Sequence, residues 1–441
     1  MPQVLNLKPE EVDSNEKRSK YTVSVVGCGQ KGILYANAFA EAGFRVICTD
    51  ADASVAKKVA KGKIASAQVE AKLKSYINSG QISVSSERKD AVSQSDIIVV
   101  AVGAKVDEQK KTDYSQITSA AKQVGAALHQ GTLVIYGGIA GFGFIEGAMK
   151  ETLENTSGFK VGADFGLAYN PIHTADALME NLELKVAATD PISLNAASII
   201  LKTLTKRIKE VADLKTAEIA TLFTVAKQDS NRALANELAV FCENANIDYF
   251  KVLSLLDLND DPYFYPTIVD EESKHEAYLL LDSAENINAK LRLPTLARQI
   301  NEDMVKHAVN LTADTLSRCG KPLRRAKVAV LGTASPSTAT GIFVKMIELK
   351  GAKASVYDPI SKMGPQDWRI VKTNLTEAVE GTDCIVVLTG QEQFKNLNLK
   401  KLKALMKTPS VIVDLIGIFD PKKVEAEGFI YCGLGRGSDK T

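Results

Sequence analysis

Val23-Ser24-Val25-Val26-Gly27-Cys28-Gly29-Gln30-Lys31-Gly32 is the stretch that decides the fold. A short β-prone run enters a turn of the form G-x-G-x-x-G, and helix-forming sequence follows as far as Ala42. In such a turn Gly27 permits the tight bend, Gly29 lets the backbone approach a pyrophosphate, and Gly32 allows close helix–strand packing. The helix N-terminus offers its free N–H groups and positive dipole end to phosphate. Gly43 precedes a second strand, Arg45–Cys48, that ends at Asp50, 21 residues past Gly29. A carboxylate there takes ribose hydroxyls and repels a 2′-phosphate, so the expected cofactor is NAD. Its expected binding residues are Gly27, Cys28, Gly29, Gln30, Lys31, Gly32 and Asp50, with Val102 and Gly103 at a later strand end. The alternative is a glycine turn kept only for packing.

Outward from this motif, Ile97–Val102 and Thr132–Tyr136 are short, apolar and rich in Val and Ile, as buried parallel strands are. Residues 193–315 have helix-forming composition almost throughout, with no β-rich run, and Ala217–Asn244 reads as one long helix. Not one of the 29 glycines lies between Gly166 and Gly320. From Ala326 the α/β pattern resumes: Val328–Leu331 leads to Gly332, a helix covers Ile342–Lys350, and Ala354–Tyr357 ends at Asp358-Pro359. Ile82–Val102 and Arg369–Thr389 share a strand, a short helix containing Ala-Val, and an Asp before an apolar strand. The expected fold is α/β, with two Rossmann-like domains joined by a helical central dimerisation region. The expected bounds are a polar, poorly ordered leader 1–19, an NAD-binding domain 20–192, a helical domain 193–315 and a substrate-binding domain 316–441. The hydroxyl-rich segment Gly332–Gly341 opens a helix and suits either a phosphate or a simple helix cap.

Net charge is +1, with 45% apolar and 24% charged residues, so no global field steers the chain to nucleic acid or to a membrane. No apolar run reaches the ~18–20 residues of a membrane helix. The six cysteines are scattered without a C-x-x-C pair, which reads as reduced thiols of a cytoplasmic protein and predicts no metal site.

The chain resembles the nucleotide-sugar dehydrogenases, the group of UDP-glucose and UDP-N-acetylmannosamine dehydrogenases, over nearly all of residues 20–437. The likeness rests on Gly27–Gly32 with Asp50, SGFKVGADFGLAYNP (Ser157–Pro171), RALANELAVFCENANID (Arg232–Asp248), LARQIN (Leu296–Asn301), VYDP (Val356–Pro359) and the closing GFIYCGLGRG. It implies an NAD-dependent homodimer with two Rossmann domains that oxidises a sugar primary alcohol twice, to the carboxylate. The second oxidation requires a cysteine thiolate to trap the aldehyde. Where the resemblance places that cysteine, in a loop, stands Glu272; the family lysine and asparagine fall at Thr221 and Val225, and a glutamate at Ile172. Further family motifs are replaced by Gly103-Ala104-Lys105, Gly137-Gly138-Ile139 and Asp414-Leu415-Ile416-Gly417.

Candidates for the remaining chemistry are few. Lys227 and Asn231 lie four apart on one helix face, although six residues beyond the family position. His173 follows Asn170-Pro171 at a strand end, where ligands gather, and suits proton transfer near neutrality. Against these stand a solvated lysine and a structural histidine. Asp260–Glu272, rich in aromatics and carboxylates, reads as a pocket lining or a surface loop. The expected activity is an NAD-dependent dehydrogenase acting on a CH–OH group of a small molecule such as a nucleotide sugar, in one two-electron step. A non-catalytic NAD-binding homologue is the alternative.

Overall fold

The computed structural model describes residues 4–63, 67–107, 109–172, 183–256, 264–268, 271–336, 338–360 and 364–437. The chain divides into two compact units, Met1–Val225 with Tyr278–Ala289, and Ala226–Ala277 with Lys290–Thr441. Each is an α/β body around a mainly parallel sheet.

The strands of the first unit are β1 (Thr22–Val26), β2 (Arg45–Thr49), β3 (Ile82–Ser85), β4 (Ile97–Val100), β5 (Lys105–Val106), β6 (Thr112–Asp113), β7 (Leu133–Tyr136), β8 (Gly166–Tyr169), β9 (Leu184–Ala188) and β10 (Ile208–Glu210). The main sheet runs β10-β9-β8-β7-β4-β1-β2-β3, with β5 and β6 forming a separate antiparallel pair. Its neighbours are parallel except β8 and β9, which are antiparallel. The central strands lack polar alternation because both faces are covered. Val23, Val25, Ile97 and Val99 pack with Ile33, Tyr35 and Phe39 of the helix Gln30–Glu41. The intervening Val26, Ile98 and Val100 pack with Ile117, Ala121 and Val124 of the helix Ser115–Gly125. Each such buried side chain contributes roughly 1.5–3 kcal/mol.

Two expectations are corrected in this unit. The start of the chain is docked, not loose: Val4, Leu7 and Val12 join the core, and the Val4 N–H donates to the Gly131 carbonyl at 3.1 Å. Three apolar residues in a polar segment suffice to anchor it, because each is buried in the core. Secondly, the helix-rich region after residue 193 contributes a strand, β10, paired parallel with β9.

The second unit carries β11 (Lys327–Leu331), β12 (Lys353–Tyr357), β13 (Cys384–Val387), β14 (Val411–Asp414) and β15 (Ile430–Gly433), all parallel, in the order β12-β11-β13-β14-β15. The likeness between the two halves of the sequence extends to hydrogen bonds. The Gly27 N–H donates to Thr49 O, and the Gly332 N–H donates to Tyr357 O. Asp50 Oδ2 accepts the Cys28 N–H at 2.7 Å, and Asp358 Oδ2 accepts the Ala334 N–H at 2.9 Å. Asp96 Oδ2 accepts the Thr22 N–H at 2.8 Å, and Asp383 Oδ2 accepts the Lys327 N–H at 2.9 Å. In both halves an aspartate after the second strand ties down the turn, and one before a later strand ties down the start of the first. At the second turn Thr338 makes no side-chain cap of the helix Ala339–Leu349; its hydroxyl donates to the carbonyls of Thr333 and Ser335.

The long helix runs Leu214–Ala245 and ends where Asn246 adopts a left-handed conformation, φ 55°. Within the second unit it is held to the helix Arg292–Arg318 by a buried polar chain. Arg298 pairs with Asp229 at 3.0 Å, Asn301 donates to Asp229 Oδ1 at 2.9 Å, and Asn236 donates to Asn301 Oδ1 at 2.9 Å. The sequence signatures around Asn236 and Asn301 are therefore one interhelical contact.

Candidate functional site

The site is built where β1 gives way to the helix Gln30–Glu41. Gly27 has φ +94°, a left-handed value, and a Cβ there would stand 2.9 Å from Val102 Cγ2. Gly32 is glycine because its Cβ would fall 1.9 Å from the Gly27 carbonyl oxygen. Gly29 differs from both: its backbone is extended, and a Cβ would meet nothing within 4 Å. The bare face of Gly29 leaves space directly before a helix N-terminus that no side chain caps. That is a cradle for a phosphate-bearing ligand.

A cleft of ≈ 650 Å³ opens there, bounded by Gly27, Gly29, Asp50, Arg88, Val102 and Gly103, with Lys105 also on its wall. Asp50 is fixed by two amides, Cys28 N–H on Oδ2 at 2.7 Å and Asp52 N–H on Oδ1 at 2.9 Å. Each carboxylate oxygen retains a lone pair for a ribose hydroxyl. Hydrogen bonds from Ser54 hold the Asp52 carboxyl below the usual range. The residues present fit a dinucleotide: turn, open cradle and ribose acceptor lie along one cleft.

Cys28 is buried beneath the turn, where its thiol donates to the Thr49 carbonyl at 3.3 Å. A hydrogen bond with the Cys48 thiol, together with burial, pushes its pKa well up. It is a packing thiol, not a nucleophile. A second fixed acidic group, Glu218 on the long helix, accepts the N–H groups of Gly143 at 2.6 Å and Ile145 at 2.9 Å. Burial raises its pKa from 4.5 to about 7, outweighing those two amides.

Of the residues expected from sequence to bind the cofactor, Gly27, Gly29, Asp50, Val102 and Gly103 line this cleft. Cys28 and Gly32 shape it from below, and Gln30 and Lys31 form the first turn of the helix. Sequence reasoning missed Arg88, Lys105, Ser115, Gln116 and Ser119 on the cleft wall. The available signal was positional, since Arg88 follows β3 and Lys105 lies beyond β4, at the carboxyl edge where ligands gather.

Among the described residues that line this cleft, none is one of the expected proton-transfer groups. Lys227 is exposed and Asn231 half-buried on the long helix, in the second unit. His173 lies outside the described residues, as do 260–263 and 269–270. Thr221 is buried and its hydroxyl donates to the Ala217 carbonyl at 2.8 Å, while Val225 and Ile172 are buried. Glu272 was expected in a loop; it belongs to the first turn of the helix Glu271–Asn286, whose helix-forming run starts earlier than Ala277. Among the described residues no group of three or more His, Cys, Asp or Glu could hold a metal ion.

Comparison with known proteins agrees with this geometry. The model of the NAD binding domain of the UDP-glucose/GDP-mannose dehydrogenase family matches residues 21–182, and that of the same family's UDP binding domain matches 336–421. The chain is 26% identical over 434 residues to UDP-N-acetyl-D-mannosamine dehydrogenase of Pyrococcus horikoshii, covering 94% of this chain and 99% of that protein. It is 24% identical over 438 residues to UDP-glucose 6-dehydrogenase TuaD of Bacillus subtilis, covering 94% and 93%. A solved structure of the Pyrococcus horikoshii dehydrogenase superposes with a TM-score of 0.79 at 25% identity, covering 94% of this chain and 99% of that one.

Proposed function

Since the chain belongs to the UDP-glucose/GDP-mannose dehydrogenase family, whose members are NAD-dependent nucleotide-sugar dehydrogenases, we propose that it oxidises a CH–OH group of a nucleotide sugar or related polyol in a single two-electron step. NAD, bound at Gly27–Gly32 with its ribose on Asp50, supplies the hydride acceptor. The observation that carries the one-step reading is the set of side chains where the resemblance places the family's catalytic residues. Thr221 spends its hydroxyl on a helix carbonyl, Val225 and Ile172 are buried hydrocarbon, and position 272 carries a carboxylate where a thiol is needed. Without a thiolate the aldehyde is not held covalently for a second hydride transfer. Lys227, Asn231 and His173 are the proposed proton-transfer and alkoxide-stabilising groups.

The proposal includes a homodimer. On the long helix Leu234, Leu238 and Phe241 are exposed at i, i+4 and i+7, one apolar stripe that a second copy would cover. Among the described residues no helix is long and apolar enough to cross a membrane; the proposed cytoplasmic setting rests on the six cysteines, all free. The deciding experiment is the NADH yield of purified protein with UDP-glucose, UDP-N-acetylmannosamine and related nucleotide sugars. One NADH per sugar supports the proposal. Two per sugar, with uronate formed, refutes the single step. No turnover with any of them, alongside intact NAD binding, favours the non-catalytic homologue.

A further inference from the structure

The loop after β7 reads Gly137-Gly138-Ile139-Ala140-Gly141-Phe142-Gly143-Phe144, four glycines in eight residues. Backbone so rich in glycine does not hold one shape by itself. Side chains from three helical elements hold it here. The Gly141 N–H donates to the Tyr114 hydroxyl at 2.9 Å and the Phe142 N–H to Ser283 Oγ at 3.1 Å. The N–H groups of Gly143 and Ile145 donate to the two carboxylate oxygens of Glu218. Contact is close, since a Cβ at Gly141 would strike the Tyr114 hydroxyl, and the Tyr114 ring stacks on Phe144 with centroids 4.1 Å apart. Glu218 is fully buried, and burial raises its pKa to about 7, outweighing the two amides. Around it Lys215 favours the charged form, while Glu146, paired with Lys215 at 3.2 Å, opposes it. Tyr114 feels both Glu218 and Asp282, the latter paired with Lys111 at 3.7 Å. A buried acid whose charge is disfavoured is a poor stabiliser of the fold near neutrality. What Glu218 contributes is the placement of two amides.

The sheet order says what that placement serves. A dinucleotide crosses the carboxyl edge with its adenosine over β2, where Asp50 takes the ribose, and its nicotinamide beyond the switch between β1 and β4. β7 is the neighbour of β4 on that far side, so the loop that follows it stands at the nicotinamide end. Val102, on the cleft wall, joins the two: its carbonyl accepts the Tyr136 hydroxyl at 3.2 Å, and the same hydroxyl lies 3.3 Å from the Ile139 carbonyl in the loop. Phe142, at the crest, stays exposed. Glu218 itself reaches no ligand. We propose that Glu218 is a positioning residue for the nicotinamide half of the cofactor, acting through the amides of Gly143 and Ile145 to hold this loop beside the place of the ring.

The inference rests on the assignment of NAD to this cleft, and the test separates the two. Calorimetric affinities of the full chain are measured for NAD and for ADP-ribose, which lacks the nicotinamide, in wild type, Glu218→Leu, Glu218→Gln and Tyr114→Phe. Amide hydrogen exchange of the loop is followed in each. Glu218→Leu removes both acceptors, and Glu218→Gln keeps one carbonyl oxygen. The expected loss in NAD affinity is about tenfold in Glu218→Leu and about threefold in Glu218→Gln and Tyr114→Phe, with ADP-ribose affinity within about twofold of wild type throughout. Exchange at Gly143 and Ile145 should quicken most in Glu218→Leu and less in Glu218→Gln. Wild type that binds neither NAD nor ADP-ribose overturns the NAD assignment itself. Wild-type NAD affinity in both Glu218 variants, or unchanged exchange at Gly143 and Ile145, overturns the positioning role. Equal losses for NAD and ADP-ribose mark a general structural effect and overturn it too. Should Glu218→Leu fail to fold, Glu218→Gln and Tyr114→Phe carry the same comparison.

Discussion

Replacing Gly29 by alanine should abolish tight NAD binding while leaving the fold intact. Gly29 has φ −65° and ψ −172°, a conformation open to alanine, and the added Cβ meets nothing within 4 Å. Folding stability should therefore hold or rise by about 0.4–1 kcal/mol, since alanine restricts the unfolded chain. The new methyl instead occupies the approach to the helix N-terminus. A phosphate oxygen there, at ~2.9 Å from an amide nitrogen, is displaced by it. Losing one or two hydrogen bonds to a charged group costs about 1.5–6 kcal/mol, a rise in Kd of at least ~10-fold. Gly32→Ala is the contrasting case. Its Cβ falls 1.9 Å from Gly27 O and 3.3 Å from Val25 Cγ1, and the first of these is backbone that cannot swing aside. It should destabilise the fold by about 1–3 kcal/mol or more and so lower Tm by several degrees. Calorimetry with NAD and ADP-ribose, beside thermal melts, reads both effects. Gly29→Ala binding NAD like wild type, or melting as early as Gly32→Ala, would refute the reasoning.

Glu218, with its pKa raised from 4.5 to about 7, binds a proton more tightly when folded. The associated stability is fully present below about pH 4.5 and is lost as pH rises through about 7, on the order of 3 kcal/mol in all. Glu218→Gln should flatten that part of the Tm-against-pH curve; an unchanged slope counts against the shift. Light scattering at micromolar protein should give twice the chain mass of 47.5 kDa, and Leu238→Glu with Phe241→Glu should return it to one chain. A wild-type monomer rejects the dimer. Once a turned-over substrate is known, His173→Gln should cut the rate by about 10²–10⁴-fold with NAD affinity retained; wild-type turnover removes His173 as the base.

The sequence by itself determined the parts of this protein that follow from local covalent rules. A glycine that must adopt positive φ and an aspartate at a strand end carry their reasons in the chain, so Gly27–Gly32 and Asp50 were legible without coordinates. The two α/β halves were legible because buried parallel strands demand uninterrupted Val and Ile. Only the tertiary structure could decide the rest. That Val4, Leu7 and Val12 are core was hidden in a segment of polar composition, because burial depends on what the chain meets. That Asn236, Asn301, Arg298 and Asp229 form one buried contact, although Asn236 and Asn301 lie 65 residues apart, has no local signature at all. Arg88 reads as an ordinary surface residue in sequence. Its burial, its bond to Gln123 35 positions away and its place on the cleft wall arise only when the sheet brings the ends of β2, β3 and β4 to one edge. Hydrogen bonds and desolvation act over ångströms in space, and distance along the chain does not encode them.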